Sequence, residues 1–177
     1  GEVTTAVDSI AADGNSLVCQ LPAMGEGMEA GKVYPLAVAL DGTSFVQSSL
    51  LPGFEYYEPP SLGEHAPHEA ASEARANVTV YSQQLLAFTH STRAEDVRCR
   101  FGAAGDPVVE ATLISISELR CVSPAAASGE VPLQISLNAV DFFGNDTATF
   151  TFTPTAAPLT VAPALGPTEG DTTVLLR

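Results

Sequence analysis

Apolar and polar residues alternate over several short stretches of this chain, most regularly between residues 97 and 153. In "VRCRFG" (97–102), Val97, Cys99 and Phe101 fall on one face and Arg98 and Arg100 on the other. In "PLQISLN" (132–138), Leu133, Ile135 and Leu137 alternate with other residues, and "TFTFT" (149–153) interleaves Phe150 and Phe152 with threonines. A period of two belongs to a strand with one face buried, so each stretch predicts a β-strand with β-branched threonine on the solvent side. Clusters of Gly, Pro, Asn and Asp separate them, which predicts an all-β sandwich of short strands. One segment reads differently: "HEAASEARA" (68–76) has the propensity of a short helix.

The pattern recurs. "SLVCQLPA" (16–23) aligns with "ELRCVSPA" (118–125), placing Leu17 over Leu119 and Cys19 over Cys121, with a proline soon after each cysteine. "YPLAVALDG" (34–42) aligns with "VPLQISLNA" (131–139), so Leu36, Val38 and Leu40 fall on Leu133, Ile135 and Leu137. "GFEYYEPP" (53–60) aligns with "TFTFTPTA" (149–156), placing Phe54 over Phe150. The copies lie roughly 100 residues apart, with the small drift that loop-length differences produce. The predicted organisation is the rear part of one repeat (1–60), one complete repeat (61–156) and the opening of a third (157–177).

Three cysteines fit this arrangement. Cys99 pairs naturally with Cys121, and the same spacing puts the partner of Cys19 upstream of Gly1. The competing readings are two buried thiols in a reducing compartment and a free or intermolecular Cys19. Asn77-Val-Thr79 and Asn145-Asp-Thr147 are N-glycosylation sequons, the second in a polar turn between strands. Sequons and paired cysteines together point to an extracellular glycoprotein.

Charge narrows the partners. Seven basic residues against 21 acidic ones give a net charge of −14, with charged residues only 16% of the chain. Such a surface repels nucleic-acid phosphates and an anionic membrane face. No apolar run reaches the roughly 20 residues that span a bilayer, so this segment is not expected to insert directly.

Candidate chemistry is sparse. "EHAPHE" brings together Glu64, His65, His68 and Glu69, but Pro67 spoils a helical metal-binding spacing, and a solvated linker is the expectation, with His65 and His68 only weak metal candidates. Asp141 and Asp146 in "DFFGND" lack the spacing of a calcium loop. His90 lies near Ser91 and Asp96, yet nearness in sequence does not make a triad. No nucleophile-elbow, phosphate-loop or zinc-protease motif occurs, so neither an enzyme nor a cofactor is expected.

Taken in order, "VRCRFG", "VVEATLISISELRCVSPAA" and "VPLQISLNAVDFFGNDTATFTF" resemble an IPT/TIG domain, an immunoglobulin-like fold. "APALGPTEGDTTV" (162–174) is similar to that family's opening, with Asp171 in place of a glycine. "APHEAASEARANVTV" departs from that opening, and the absence of Trp excludes an antibody-type core. The resemblance implies tandem immunoglobulin-like (IPT/TIG) β-sandwiches of a cell-surface or extracellular protein, as in fibrocystin-like, plexin-like and algal adhesin or ciliary-hair proteins. It implies a non-enzymatic structural subunit of a surface coat, filament or appendage, a ciliary surface being one setting. The alternative is the ectodomain of an adhesion or signalling receptor. Partners would be other Ig-like repeats of the same protein or neighbouring copies, or a protein or glycan ligand at the cell surface.

Overall fold

The computed structural model describes residues 4–11, 14, 16–47, 53–83, 85, 94–155 and 160–176. Six short strands come first: β1 (Val7–Ile10), β2 (Leu17–Cys19), β3 (Val33–Tyr34), β4 (Ala37–Val38), β5 (Val46–Gln47) and β6 (Phe54–Glu55). They pair as three antiparallel ribbons, β1 with β2, β3 with β6 and β4 with β5. Apolar side chains here stay largely in water: Ile10 is 60% exposed and Leu40 85%. The last two strands, β16 (Val161–Ala162) and β17 (Leu175–Leu176), form another exposed ribbon.

The packed core belongs to the nine strands between them. These are β7 (Leu62–Ala66), β8 (Glu69–Ala71), β9 (Asn77–Ser82), β10 (Arg98–Phe101), β11 (Val108–Ser115), β12 (Glu118–Val122), β13 (Gly129–Ser136), β14 (Phe142–Phe143) and β15 (Thr149–Thr153). They run in the order β7-β9-β12-β11-β10-β13-β15-β8, with β14 beside β13. Two strands turn this continuous ladder into a sandwich. β11 pairs with β10 through Val108–Glu110 and with β12 from Ala111 onward, so it crosses from one layer to the other. The first strand of the domain is split: β7 lies antiparallel on β9 at one edge, while β8 lies parallel to β15 at the other.

The alternation read from the sequence is the one that packs. Val97, Cys99 and Phe101 are buried to within 2%, while Arg98 and Arg100 stay half-exposed. Leu133, Ile135 and Leu137 face inward with Phe150 and Phe152, and the opposite layer supplies Val78, Val80, Leu119 and Cys121. Each large side chain buried this completely contributes about 1.5–3 kcal/mol relative to exposure. The "FG" ending of β10 also has a local cause. Gly102 has φ +131°, and a Cβ there would run into the Asp106 carboxylate, which accepts a 2.7 Å hydrogen bond from the Ala103 amide. Glycine alone suits such a turn.

The structure corrects the reading of 68–76. Glu69–Ala71 is a strand, not helix: its backbone pairs with Thr151, Phe152 and Thr153, and a turn closed by Ala74 donating to Ala71 follows. Helical propensity is a weak preference, and here ladder bonds to the last strand override it.

Tyr57 links the segment before β7 to the sandwich. It packs against the core cluster and sits edge-on to Phe143 at 6.0 Å. Burial, aided by the negative charge of Asp141, pushes its phenol up to about 12. The neutral phenol is favoured in the folded protein, so its stabilising contribution is complete below the unfolded value of 10.0 and is lost as pH rises toward 12. In an ultraviolet titration of the folded chain, a tyrosine step should therefore appear near pH 12. Tyr57→Phe should remove that late step, and a wild-type titration without one would contradict the buried placement.

Candidate functional site

Cys99 on β10 and Cys121 on β12 come from opposite layers and are joined by a disulfide, Cα to Cα 6.3 Å, across a sequence separation of 22. Both are buried to within 1% among aliphatic and aromatic side chains. The bond is therefore an internal staple between the sheets. Cys19, on β2 opposite Val7, is half-buried and has no disulfide partner among the described residues.

The two sequon asparagines occupy different settings. Asn77 begins β9, exposed and opposite Val122. Asn145 is exposed in the turn before β15, but its side chain does structural work there. Nδ2 donates to the Leu62 carbonyl at 2.9 Å, tying the turn to the start of β7, while Oδ1 accepts from the Thr147 amide and hydroxyl.

That turn closes one wall of a cavity of about 520 Å³ lined by Leu62, Gly63, Glu64, His65, His68, Asn145, Thr147, Thr149 and Thr151. Thr149 and Thr151 are on the outward face of "TFTFT", Thr147 belongs to the turn, and the histidines come from β7 and the step between β7 and β8. Here the expectation of a solvated linker fails for His65. It lies within β7 at 5% exposure, its ring 6.4 Å from that of Phe150. The register of β7 on β9 shifts between Leu62 and His65, so both of these residues turn inward despite standing three apart. His68 is exposed and sits with its Nδ1 3.4 Å from Nε2 of His65, the rings at 77°. Burial, then the neighbouring His68, holds the His65 imidazole below its usual range, partly offset by a hydrogen bond to the backbone of Thr149.

The remaining candidates are not brought together. Asp141 accepts from Asn138 Nδ2 at 2.8 Å and its own amide is bound by Asn138 Oδ1, so it belongs to a local turn. Asp146 is exposed. Among the described residues no three or more His, Cys, Asp or Glu side chains are grouped to hold a metal ion. His90 and Ser91 lie outside the described residues, and Asp96 ends a short 3-10 turn, Ala94–Asp96. The cavity itself was missed in the sequence. Its only signal was the run of threonines alternating with buried phenylalanines, which reads equally as a plain solvent face.

The match to a protein-family model agrees with this architecture. The IPT/TIG domain family model matches residues 60–152, more than half of the chain and the span that carries the packed core. No curated protein matches. Among solved structures, a structural genomics protein of unknown function from Bacteroides thetaiotaomicron VPI-5482 is 18% identical, with a TM-score of 0.44 over 54% of this chain. The chain spans about a fifth of that protein, covering 22% of its length. An immunoglobulin-like sandwich whose strands coincide with this family match identifies the chain as a member of the IPT/TIG family.

Proposed function

We propose that this chain is a recognition module in the ectodomain of an adhesion or signalling protein, binding a protein or glycan at the cell surface. The observation that carries the reading is the disulfide buried between the layers of an IPT/TIG domain. Such bonds persist in oxidising compartments, and this one stands with two exposed sequon asparagines. Immunoglobulin-like sandwiches of this kind offer loops and strand edges as surfaces for binding.

Two backbone registers support a tandem arrangement. Val7 pairs with Cys19 as Ala111 pairs with Cys121. Tyr34 pairs with Phe54 as Val131 pairs with Phe150, and in each case the first residue precedes a proline. Residues 1–60 are read on this basis as the rear part of a neighbouring repeat and 157–177 as the front of another. The same registers favour a second function, a structural subunit of a coat, filament or ciliary appendage built from such repeats.

Two measurements separate these. Peptide mass spectrometry of the non-reduced protein from its native source should find Cys99 linked to Cys121 and glycan on Asn77 or Asn145. Three free thiols and bare asparagines would sink both readings. Saturable binding of the monomeric secreted chain to cell surfaces supports recognition, whereas concentration-dependent polymerisation without such binding supports the structural subunit.

A further inference from the structure

We infer that the β16–β17 ribbon of one copy of this chain docks on the outer edge of β2 in a second copy, so that copies join head to tail. The inference rests on the structural-subunit reading and names the contact by which such a subunit assembles. Its partner is a strand edge of the same chain, and the register of the pairing can be stated.

Two backbone registers fit together. Val161 pairs with Leu176 and Ala162 with Leu175, as His65 pairs with Val80 and Ala66 with Thr79. One offset of 96 residues relates all four positions (161 against 65, 176 against 80). The β16–β17 ribbon thus repeats the β7–β9 pair at the edge of the packed sandwich. The β1–β2 ribbon repeats β11–β12 in the same manner: Val7 pairs with Cys19 and Ile10 with Leu17, as Ala111 pairs with Cys121 and Leu113 with Leu119. In the sandwich these two pairs are joined, with Val78 of β9 opposite Cys121 of β12 and Val80 opposite Leu119. Among the described residues each ribbon remains a separate two-stranded sheet. Carried over, the joint sets Val174 opposite Cys19 and Leu176 opposite Leu17. The product is a four-stranded layer ordered β16-β17-β2-β1, the counterpart of β7-β9-β12-β11.

Burial and charge both favour the joint. Val78 and Val80 are fully buried, whereas their counterparts Val174 and Leu176 are 46% and 59% exposed. A bare strand edge with apolar positions on one face is a template for another strand, and the alternation fixes the register. Copies of a chain with net charge −14 repel one another, but residues 16–25 and 172–176 contain no Asp, Glu, Lys or Arg, so these edges meet without opposing like charges. The fold also sets the ribbons apart. β8 runs parallel to β15, so the chain enters the sandwich at one pole and leaves it at the other. A ribbon at each pole can meet a second copy, and a head-to-tail contact of this kind repeats into a ring or a filament.

The test is a thiol trap in the full chain. Val174→Cys sets a second thiol opposite Cys19 of the next copy, at the roughly 4.5–5.5 Å Cα separation of a cross-strand pair, which a disulfide spans. Mild oxidation should give dimers and longer covalent chains on a non-reducing gel, with peptide mass spectrometry linking position 19 to position 174. Leu175→Cys, one residue on, turns to the other face of the strand and should trap at least tenfold less. In the unaltered chain, sedimentation should show self-association that rises with concentration. Leu176→Asp, at an exposed position outside the packed core, should weaken it at least tenfold. A chain that stays monomeric at every concentration, a link from 19 to 174 within single copies only, or equal trapping by both introduced thiols would overturn the docking. Self-association undiminished by Leu176→Asp would also overturn it, yet leave the structural-subunit reading standing. Saturable cell binding without any self-association would remove that reading as well.

Discussion

Replacing both Cys99 and Cys121 with alanine is expected to lower the free energy of unfolding by about 3–4 kcal/mol, the loop-closure value for a bond across this separation. The physical cause lies mainly in the unfolded chain. Without the bond, β10, β11 and their connections regain the freedom that the staple removes. Both cysteines should be changed together, because a single replacement leaves a buried thiol free to react elsewhere. Urea denaturation provides the check: the midpoint should fall, and the slope should rise as the unfolded chain expands. A loss below about 1 kcal/mol would mean that packing alone holds the layers together and that the bond is dispensable.

The second large effect is expected at Phe150. Phe150→Ala should cost about 3–5 kcal/mol, the range for emptying a large aromatic site in a core. The ring is fully buried and stands edge-on to Phe101 and Phe152, each at 5.1 Å. His65 lies on its other side at 6.4 Å, so the cavity left behind opens beneath the histidine pair as well. Phe150→Leu, which keeps most of the volume, should cost markedly less. Phe142 offers an internal contrast. It is half-buried under the Arg100 guanidinium at 4.1 Å, and Phe142→Ala should cost only about 1 kcal/mol from the lost cation–π contact. Equal losses at 142 and 150 in thermal or urea unfolding would contradict the arrangement of the core.

Much of this architecture was legible in the chain because it depends on side-chain alternation. β10 and β15 bury every second residue, as β13 does at Leu133 and Ile135, and a period of two survives in the sequence whatever the rest of the fold does. Where backbone geometry breaks that period, the sequence falls silent. The register shift in β7 turns Leu62 and His65 to the same side three residues apart, so no alternation marks the strand and His65 looks like part of a linker. β8 was hidden for another reason. Glu69, Ala70 and Ala71 carry no strand preference of their own, and their conformation is imposed by the backbone of Thr151–Thr153 some eighty residues away. The cavity is lined from β7 and from His68 just beyond it, so it could not be read before that strand.

The split first strand has a mechanical consequence. β8 and β15 run in the same direction, and they stand close to where the chain enters and leaves the sandwich. Beyond the paired residues, Thr151 donates to the His68 carbonyl at 2.9 Å and Ser72 to the Thr153 carbonyl at 2.8 Å. Tension applied through the flanking segments would pull these two strands in opposite directions along their own axes. The bonds between them would then be loaded side by side and would have to fail together, not one after another as in a peeling hairpin. Behind that clamp, the Cys99–Cys121 link would keep the segment between the cysteines from paying out. A domain wired in this way can carry load along a chain while its loops remain free to bind.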